Sequence, residues 1–224
     1  VQPFVASNAL VTAQADLDGV FNRLGINLSS PIDSNIRASQ ITAGGTRYLL
    51  CNEVAITSIA NCPSMSLLTY SITQDSDAAR WRITNLANPA DSGVFSIARV
   101  GGEKVYLAAG VIQQTSGSFR VFRIGLMDSP TLAASTARGG DTLGTRGSVT
   151  LTSTAYTGRG INPDGSAANA DYGVISIAPT GPLGIWAINT GGSNAYFGVH
   201  SGKLTAVVSA RGANAGYMQI GLVD

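Results

Sequence analysis

Charge is scarce in this sequence. Only 12% of its 224 residues are Asp, Glu, Lys or Arg, about half the usual share for a soluble domain. Fourteen basic residues against thirteen acidic ones leave a formal net charge of +1. The basic residues are spread singly along the chain, whereas phosphate binding needs them clustered, so no nucleic-acid or anionic-membrane partner is expected. Histidine occurs once, as His200. With one imidazole and no Gly-x-Ser-x-Gly elbow, a nucleophile has no base to activate it, and His200 reads as a surface or strand-end residue. One His and two Cys also fall short of the usual four zinc ligands. No stretch nears the roughly 20 apolar residues that cross a bilayer, so membrane insertion is not expected.

The acids lead to the same result. Asp75, Asp77, Asp91, Asp141, Asp164 and Asp171 could supply the facing carboxylates of a glycosidase, yet nearly all stand in turn sequences, where Asp bonds its own backbone. Asn162-Pro163-Asp164-Gly165-Ser166, continued by Asn169 and Asp171, has oxygen ligands at the short intervals calcium prefers. It lacks the Asp-x-Asp-x-Asp spacing and closing Glu of an EF-hand, and a plain Pro-Asp-Gly turn accounts for it. No catalytic residue, metal or cofactor is assigned, and the chain is not expected to be an enzyme.

What the sequence has in abundance is glycine, 27 residues, with much Ser, Thr, Ala and Asn. Turn residues of this kind separate short apolar-alternating segments at Arg47–Cys51, Val54–Ala60, Ser66–Thr73, Arg80–Asn85, Gly93–Val100, Lys104–Gln113 and Ser118–Met127. A second series follows at Ser148–Thr157, Tyr172–Ala178, Leu183–Asn189, Asn194–His200, Lys203–Ala210 and Tyr217–Val223. Twelve residues occur almost twice: A-N-P-A-D-S-G-V-F-S-I-A at Ala87–Ala98 and A-A-N-A-D-Y-G-V-I-S-I-A at Ala167–Ala178. Each copy runs on to a similar ending, I-G-L-M-D at Ile124–Asp128 and I-G-L-V-D at Ile220–Asp224. This internal repeat predicts one module used twice, with the echoes opening equivalent strands. Sixteen more residues lie between echo and ending in the second copy, enough for an added hairpin. The expected fold is all-β: two tandem antiparallel β-sandwich or Greek-key barrel modules preceded by a short amphipathic helix. The expected boundaries are an N-terminal arm and helix over 1–30, a first β module over 31–128, a linker over 129–147 and a second β module over 148–224.

The helix rests on Leu10, Leu17, Phe21 and Leu24, spaced at helical intervals after Ser7 as a cap and before Gly25. A lone apolar stripe needs a partner surface, so these four residues are the expected assembly contacts. Cys51 and Cys62 are close enough in sequence to face each other across a hairpin, as a disulfide or as two buried thiols. Tyr156, Tyr172, Asn189, Asn194 and Tyr196 lie near turns of the second module and form a candidate ligand loop suited to a glycan. Trp81 and Trp186 read as core.

This layout is similar to that of the accessory virion proteins of tailed bacteriophages: head-decoration, head-fibre and tail-fibre proteins with a short anchoring helix and β modules rich in Gly, Ser, Thr and Ala. The resemblance covers the whole chain as a pattern. It implies a structural protein located in the virion, forming a homo-oligomer, a trimer above all, with other virion proteins as partners and a host-surface glycan as a further one. The competing expectation is a secreted β-sandwich carbohydrate-binding module.

Overall fold

The computed structural model describes residues 7–29, 32–53, 56–129, 134–168, 171–177, 184–191, 195–209 and 214–224. The chain is all-β and forms two closed eight-stranded antiparallel barrels in tandem. The first contains β1 (Gly19–Asn27), β2 (Asp33–Thr42), β3 (Arg47–Cys51), β4 (Leu67–Gln74), β5 (Trp81–Asn85), β6 (Ser92–Val100), β7 (Glu103–Gln114) and β8 (Gly117–Met127). The second contains β9 (Ser135–Asp141), β10 (Arg146–Leu151), β11 (Ala155–Ile161), β12 (Asp171–Ile177), β13 (Ile185–Asn189), β14 (Ala195–Ser201), β15 (Leu204–Ser209) and β16 (Met218–Val223). Each strand pairs with the next in sequence and the last returns to the first, β8 to β1 and β16 to β9. The modules are therefore up-and-down barrels, not sandwiches or Greek keys, and closure leaves neither with an open sheet edge.

The expected N-terminal helix is absent. Among the described residues the only helical pieces are 3₁₀ turns at Gln14–Leu17 and Ile59–Asn61, and the latter falls where a strand over Val54–Ala60 was expected. Ser7 Oγ accepts from Ala9 N–H at 3.1 Å, a local turn and not a helix cap. Leu10 makes an antiparallel bridge to Ala98 of β6 and stays 42% exposed. Leu17, at the end of the first 3₁₀ turn, is buried against Phe21, Ile41 and Tyr48. That turn seats on the β2–β3 connection: Gln14 Nε2 donates to the carbonyls of Gly45 at 3.1 Å and Ile72 at 3.2 Å. Gly45 has φ +76°, and a side chain there would collide with the Gln14 carbonyl. Phe21 and Leu24 lie in β1, which pairs along its whole length with β2 and over seven residues with β8. Tertiary pairing overrides the helical spacing, with Gly19 and Gly25 weakening any competing helix.

The 1–30 arm thus contributes β1 to the first barrel, and the 129–147 stretch read as a linker contains β9, the opening strand of the second. The segment Ser148–Thr157, read as one strand, is two, with a turn between β10 and β11.

The barrels pack side by side. Leu24, Ile26, Phe122, Ile124 and Leu126 from outward positions of β1 and β8, with Ile36 and Val105, form one buried cluster with Ile185, Val199, Leu204, Ala206, Val208 and Met218 of the second barrel. All six residues of β15 are buried in consequence. At one end of this seam Ser209 Oγ donates to Ser34 Oγ at 2.9 Å. At the other, Gly101 of the β6–β7 turn meets Lys203 and Gly202 meets Glu103.

The echoed segments do not take equivalent places. The first supplies the sixth strand of its barrel, β6, and the second supplies the fourth, β12, whereas the similar endings both supply eighth strands, β8 and β16. Duplication in register therefore fails for the echo. The sixteen extra residues do correspond to an added pair of strands after β12, offset by two fewer before it.

Two stability outcomes follow from this packing. Leu24→Ala should cost about 2 to 5 kcal/mol in denaturant unfolding, because a fully buried seam side chain leaves a cavity. Aspartate at Leu17 or Phe21 should unfold the first barrel; a folded chain merely released from an oligomer would contradict the burial.

Candidate functional site

Both barrels are open at the end that carries the β1–β2 turn. In the second barrel this mouth is a cavity of about 670 Å³ lined by Tyr156, Tyr196, Tyr217, Asn214, Ile188 and Val207, with Leu28 and Ile32 of the first barrel at its rim. That volume suits a ligand of a few hundred daltons. Tyr156 is 6% exposed and donates to Gln219 Oε1 at 2.9 Å. The Tyr196 and Tyr217 rings meet edge to face at 5.5 Å, and Asn214 Nδ2 donates to the Tyr196 hydroxyl at 2.8 Å. At the rim Asp141 is spent on its own turn, accepting from Leu143 and Thr145 N–H at 2.9 Å each.

Two of the five expected ligand-loop residues, Tyr156 and Tyr196, meet here. Tyr172 is 61% exposed on the outside of β12. Asn189 caps its own turn by accepting from Gly191 N–H at 2.9 Å. Asn194 lies outside the described residues. Tyr217 and Asn214, not singled out by sequence, complete the group because the segment Asn214–Tyr217 leading into β16 lines the mouth.

The first barrel holds a different interior. Toward the 3₁₀ plug it is apolar and aromatic: Tyr48 and Tyr106 stack at 5.8 Å, Phe95 and Tyr106 at 5.0 Å, and Tyr48 meets Tyr70 edge to face at 5.7 Å. Trp81, 2% exposed, lies in this core, as Trp186 does in the second barrel. Above the rings sit two arginines on adjacent strands, each opposite a glycine: Arg23 pairs with Gly125 and Gly25 with Arg123. A side chain at Gly25 would overlap the Arg123 stem, so glycine there makes room for the guanidinium. Arg123 donates to the Ile26 carbonyl, to the Phe122 carbonyl at 3.1 Å and to Asn27 Oδ1 at 2.6 Å. Arg23 Nη1 donates to the Tyr48 hydroxyl at 3.2 Å. Burial, aided by the Arg23 charge, pushes the Arg123 guanidinium down to about 9. Burial likewise pushes the Tyr70 phenol up to about 12 and raises Tyr106 further. A cavity of about 450 Å³ opens over these groups, with Asn35, Arg37, Asp33 and Asp91 on its walls. Sequence patterning gave no signal for it, since inward polar residues in a barrel look like ordinary alternation.

Cys51 and Cys62 form a disulfide, Cα–Cα 5.8 Å, clasping the β3–β4 connection beside this mouth. Removing it by Cys51→Ser with Cys62→Ser should cost about 3 kcal/mol on the chain-entropy account of a short loop, read as a drop in the denaturation midpoint under non-reducing conditions. Asp91, expected to bond its own turn, instead accepts from Thr115 N–H at 2.9 Å and so ties the β5–β6 connection to the β7–β8 turn. Asp164 accepts from Ser166 N–H at 2.9 Å and Ser166 Oγ at 2.7 Å, which holds its carboxyl below the usual range, and this is the plain turn expected of Pro-Asp-Gly. Among the described residues no three His, Cys, Asp or Glu side chains gather as metal ligands would.

His200 is buried, not on the surface. It points into the second barrel near the end of β14, 3.0 Å from Thr205 Oγ1 and beside the Trp186 ring. Burial lowers its pKa. The unfolded chain therefore takes up this proton first as pH falls, so stability is full above about 6.5 and declines as pH drops from there toward the depressed folded value. Melting temperature should fall across that window, and His200→Gln should flatten this part of the profile; an unchanged slope would refute the assignment.

No protein-family model, no curated protein sequence and no solved structure matches this chain.

Proposed function

We propose that this chain is a non-enzymatic structural protein of a bacteriophage virion, displayed at the particle surface and assembled with copies of itself, a trimer being the favoured form. The reading is carried by the location of its exposed apolar side chains. The expected anchor residues Leu17, Phe21 and Leu24 are consumed in the chain's own core, while Tyr172 and Val174 stand side by side on the outer face of β12, 61% and 67% exposed. Alternate residues of a strand share one face, and an uncharged apolar pair on a rigid wall is a natural contact for a neighbouring copy. Assembly is accordingly assigned to the barrel wall instead of an N-terminal helix. Closed barrels, a disulfide and a low-charge surface suit a component that must endure outside a cell.

A second reading, a secreted carbohydrate-binding module, is favoured by the tyrosine-lined mouth of the second barrel.

Sedimentation or light scattering separates the two. Val174→Asp should reduce the particle to monomers with its melting curve nearly unchanged, since the site is exposed. A wild-type chain that is already a monomer, stabilised by a neutral oligosaccharide in a Tyr196-dependent way, would replace the virion reading with the second one.

A further inference from the structure

We infer that the open end of the first barrel is a binding site for an acidic sugar, a hexuronate or a glycan ending in one, with its single carboxylate seated on Arg23 and Arg123. The site is separate from the tyrosine-lined mouth of the second barrel and does not rest on how the chain assembles.

Charge comes first. Three arginines, Arg23, Arg37 and Arg123, and two aspartates, Asp33 and Asp91, line the chamber, leaving one positive charge in excess. Asp33 acts electrostatically on Arg123, and Asp91 is engaged by the Thr115 backbone and hydroxyl. The groups that act on Arg23 are the phenols of Tyr48, Tyr106 and Tyr70, which are neutral at pH 7 and supply no counter-charge. Its Nε is shielded from solvent and has no hydrogen-bond partner. A guanidinium inside the barrel without a counter-charge is costly, and a carboxylate in the chamber would supply that counter-charge and cancel the excess. A monoanion meets that condition, whereas a phosphate dianion would leave the chamber with charge of the opposite sign.

The remaining polar groups favour hydroxyls around that carboxylate. Asn35 Oδ1 is buried without a donor, and the same chamber presents Asn52, Gln113, Thr115 and Ser116. Amides and hydroxyls in this density recognise sugar hydroxyls, which both donate and accept. Tyr70 and Phe119 add ring surface, and about 450 Å³ admits one sugar ring with room for its first linkage. The floor is held by hydrogen bonds, Arg123 to the carbonyls of Ile26 and Phe122 and to Asn27 Oδ1, and Arg23 to the Tyr48 hydroxyl.

The test is calorimetric titration of the full chain with sodium glucuronate, with glucose and inorganic phosphate as the comparison probes. Glucuronate should bind one to one, about tenfold or more tighter than glucose, since a charged hydrogen-bonded contact separates them. Arg123→Gln should weaken glucuronate about tenfold or more. Asn35→Asp, which adds a negative charge to the wall without removing a guanidinium, should do the same and decides the matter if Arg123→Gln does not fold. Equal affinity for glucose and glucuronate, tighter binding of phosphate, no binding of glucuronate, or full binding retained in Asn35→Asp would each overturn the inference.

Discussion

The apolar seam between the two barrels is the constraint on which the rest of the structure depends. An isolated up-and-down barrel buries one face of each strand and wets the other. Here Leu24, Ile26, Phe122, Ile124 and Leu126 turn outward from the first barrel and meet Val199, Leu204, Ala206 and Val208. Strands β1, β8 and β15 are thereby buried on both faces. At about 1.5 to 3 kcal/mol for each large apolar side chain removed from water, this surface is too large to leave exposed. The barrels are consequently one body along this line, pinned at the ends by Ser34 with Ser209 and by the facing β6–β7 and β14–β15 turns.

Because the seam takes up apolar residues outside the first barrel, its interior is free to be polar at one end. Residues of β1 alternate between the two environments: Leu24 and Ile26 face the seam, while Arg23 projects into the barrel beside Tyr48. On β8, Arg123 occupies the inward position between the outward Phe122 and Ile124. Guanidiniums inside a barrel, Arg123 buried and Arg23 half-buried, would destabilise one whose only support was its interior. The seam outside, the aromatic stack below and the Leu17 plug at the far end supply that support. The second barrel divides its interior differently, with Trp186, Ile188 and Val207 filling the middle and tyrosines at the mouth.

Strands bounded by turn residues were legible in the sequence: Arg47–Cys51, Arg80–Asn85 and Ser118–Met127 agree with the observed β3, β5 and β8 to within about a residue. β1 was not legible: with Phe21 facing inward and Leu24 outward, its apolar residues fall at a spacing of three, which imitates a helix. β9, Ser135–Asp141, has two glycines and few apolar residues, so nothing in its composition distinguishes it from a linker; it is a strand because β10 and β16 pair with it on either side. Of the expected ligand-loop residues, Tyr156 and Tyr196 converge since both lie at inward positions near one barrel end. Tyr172 departs because its neighbour Gly173, at the adjacent inward position, lies against Ile188. The disulfide was open as one of two outcomes, and the arginine chamber carried no linear signature because its walls come from strands far apart in sequence.

The displaced echo has a physical basis in barrel closure. Moving a segment by one strand reverses its direction and exchanges the ends of the barrel at which its turns emerge. Moving it by two strands preserves direction, the inward and outward alternation, and the barrel end from which the strand starts. The echo moves from the sixth strand to the fourth, an even step, and its common pattern is one that such a step leaves intact: Gly93 and Gly173 both sit where a side chain would strike an isoleucine across the ladder, Ile112 and Ile188. A closed ladder of sequential hairpins imposes no other distinction between even-numbered strands. The similar endings have no such freedom, because the eighth strand alone must pair back to the first, and both stay in the eighth place. Sequence similarity in this chain therefore tracks position relative to pleat and barrel end, and it fixes strand number only where closure demands it.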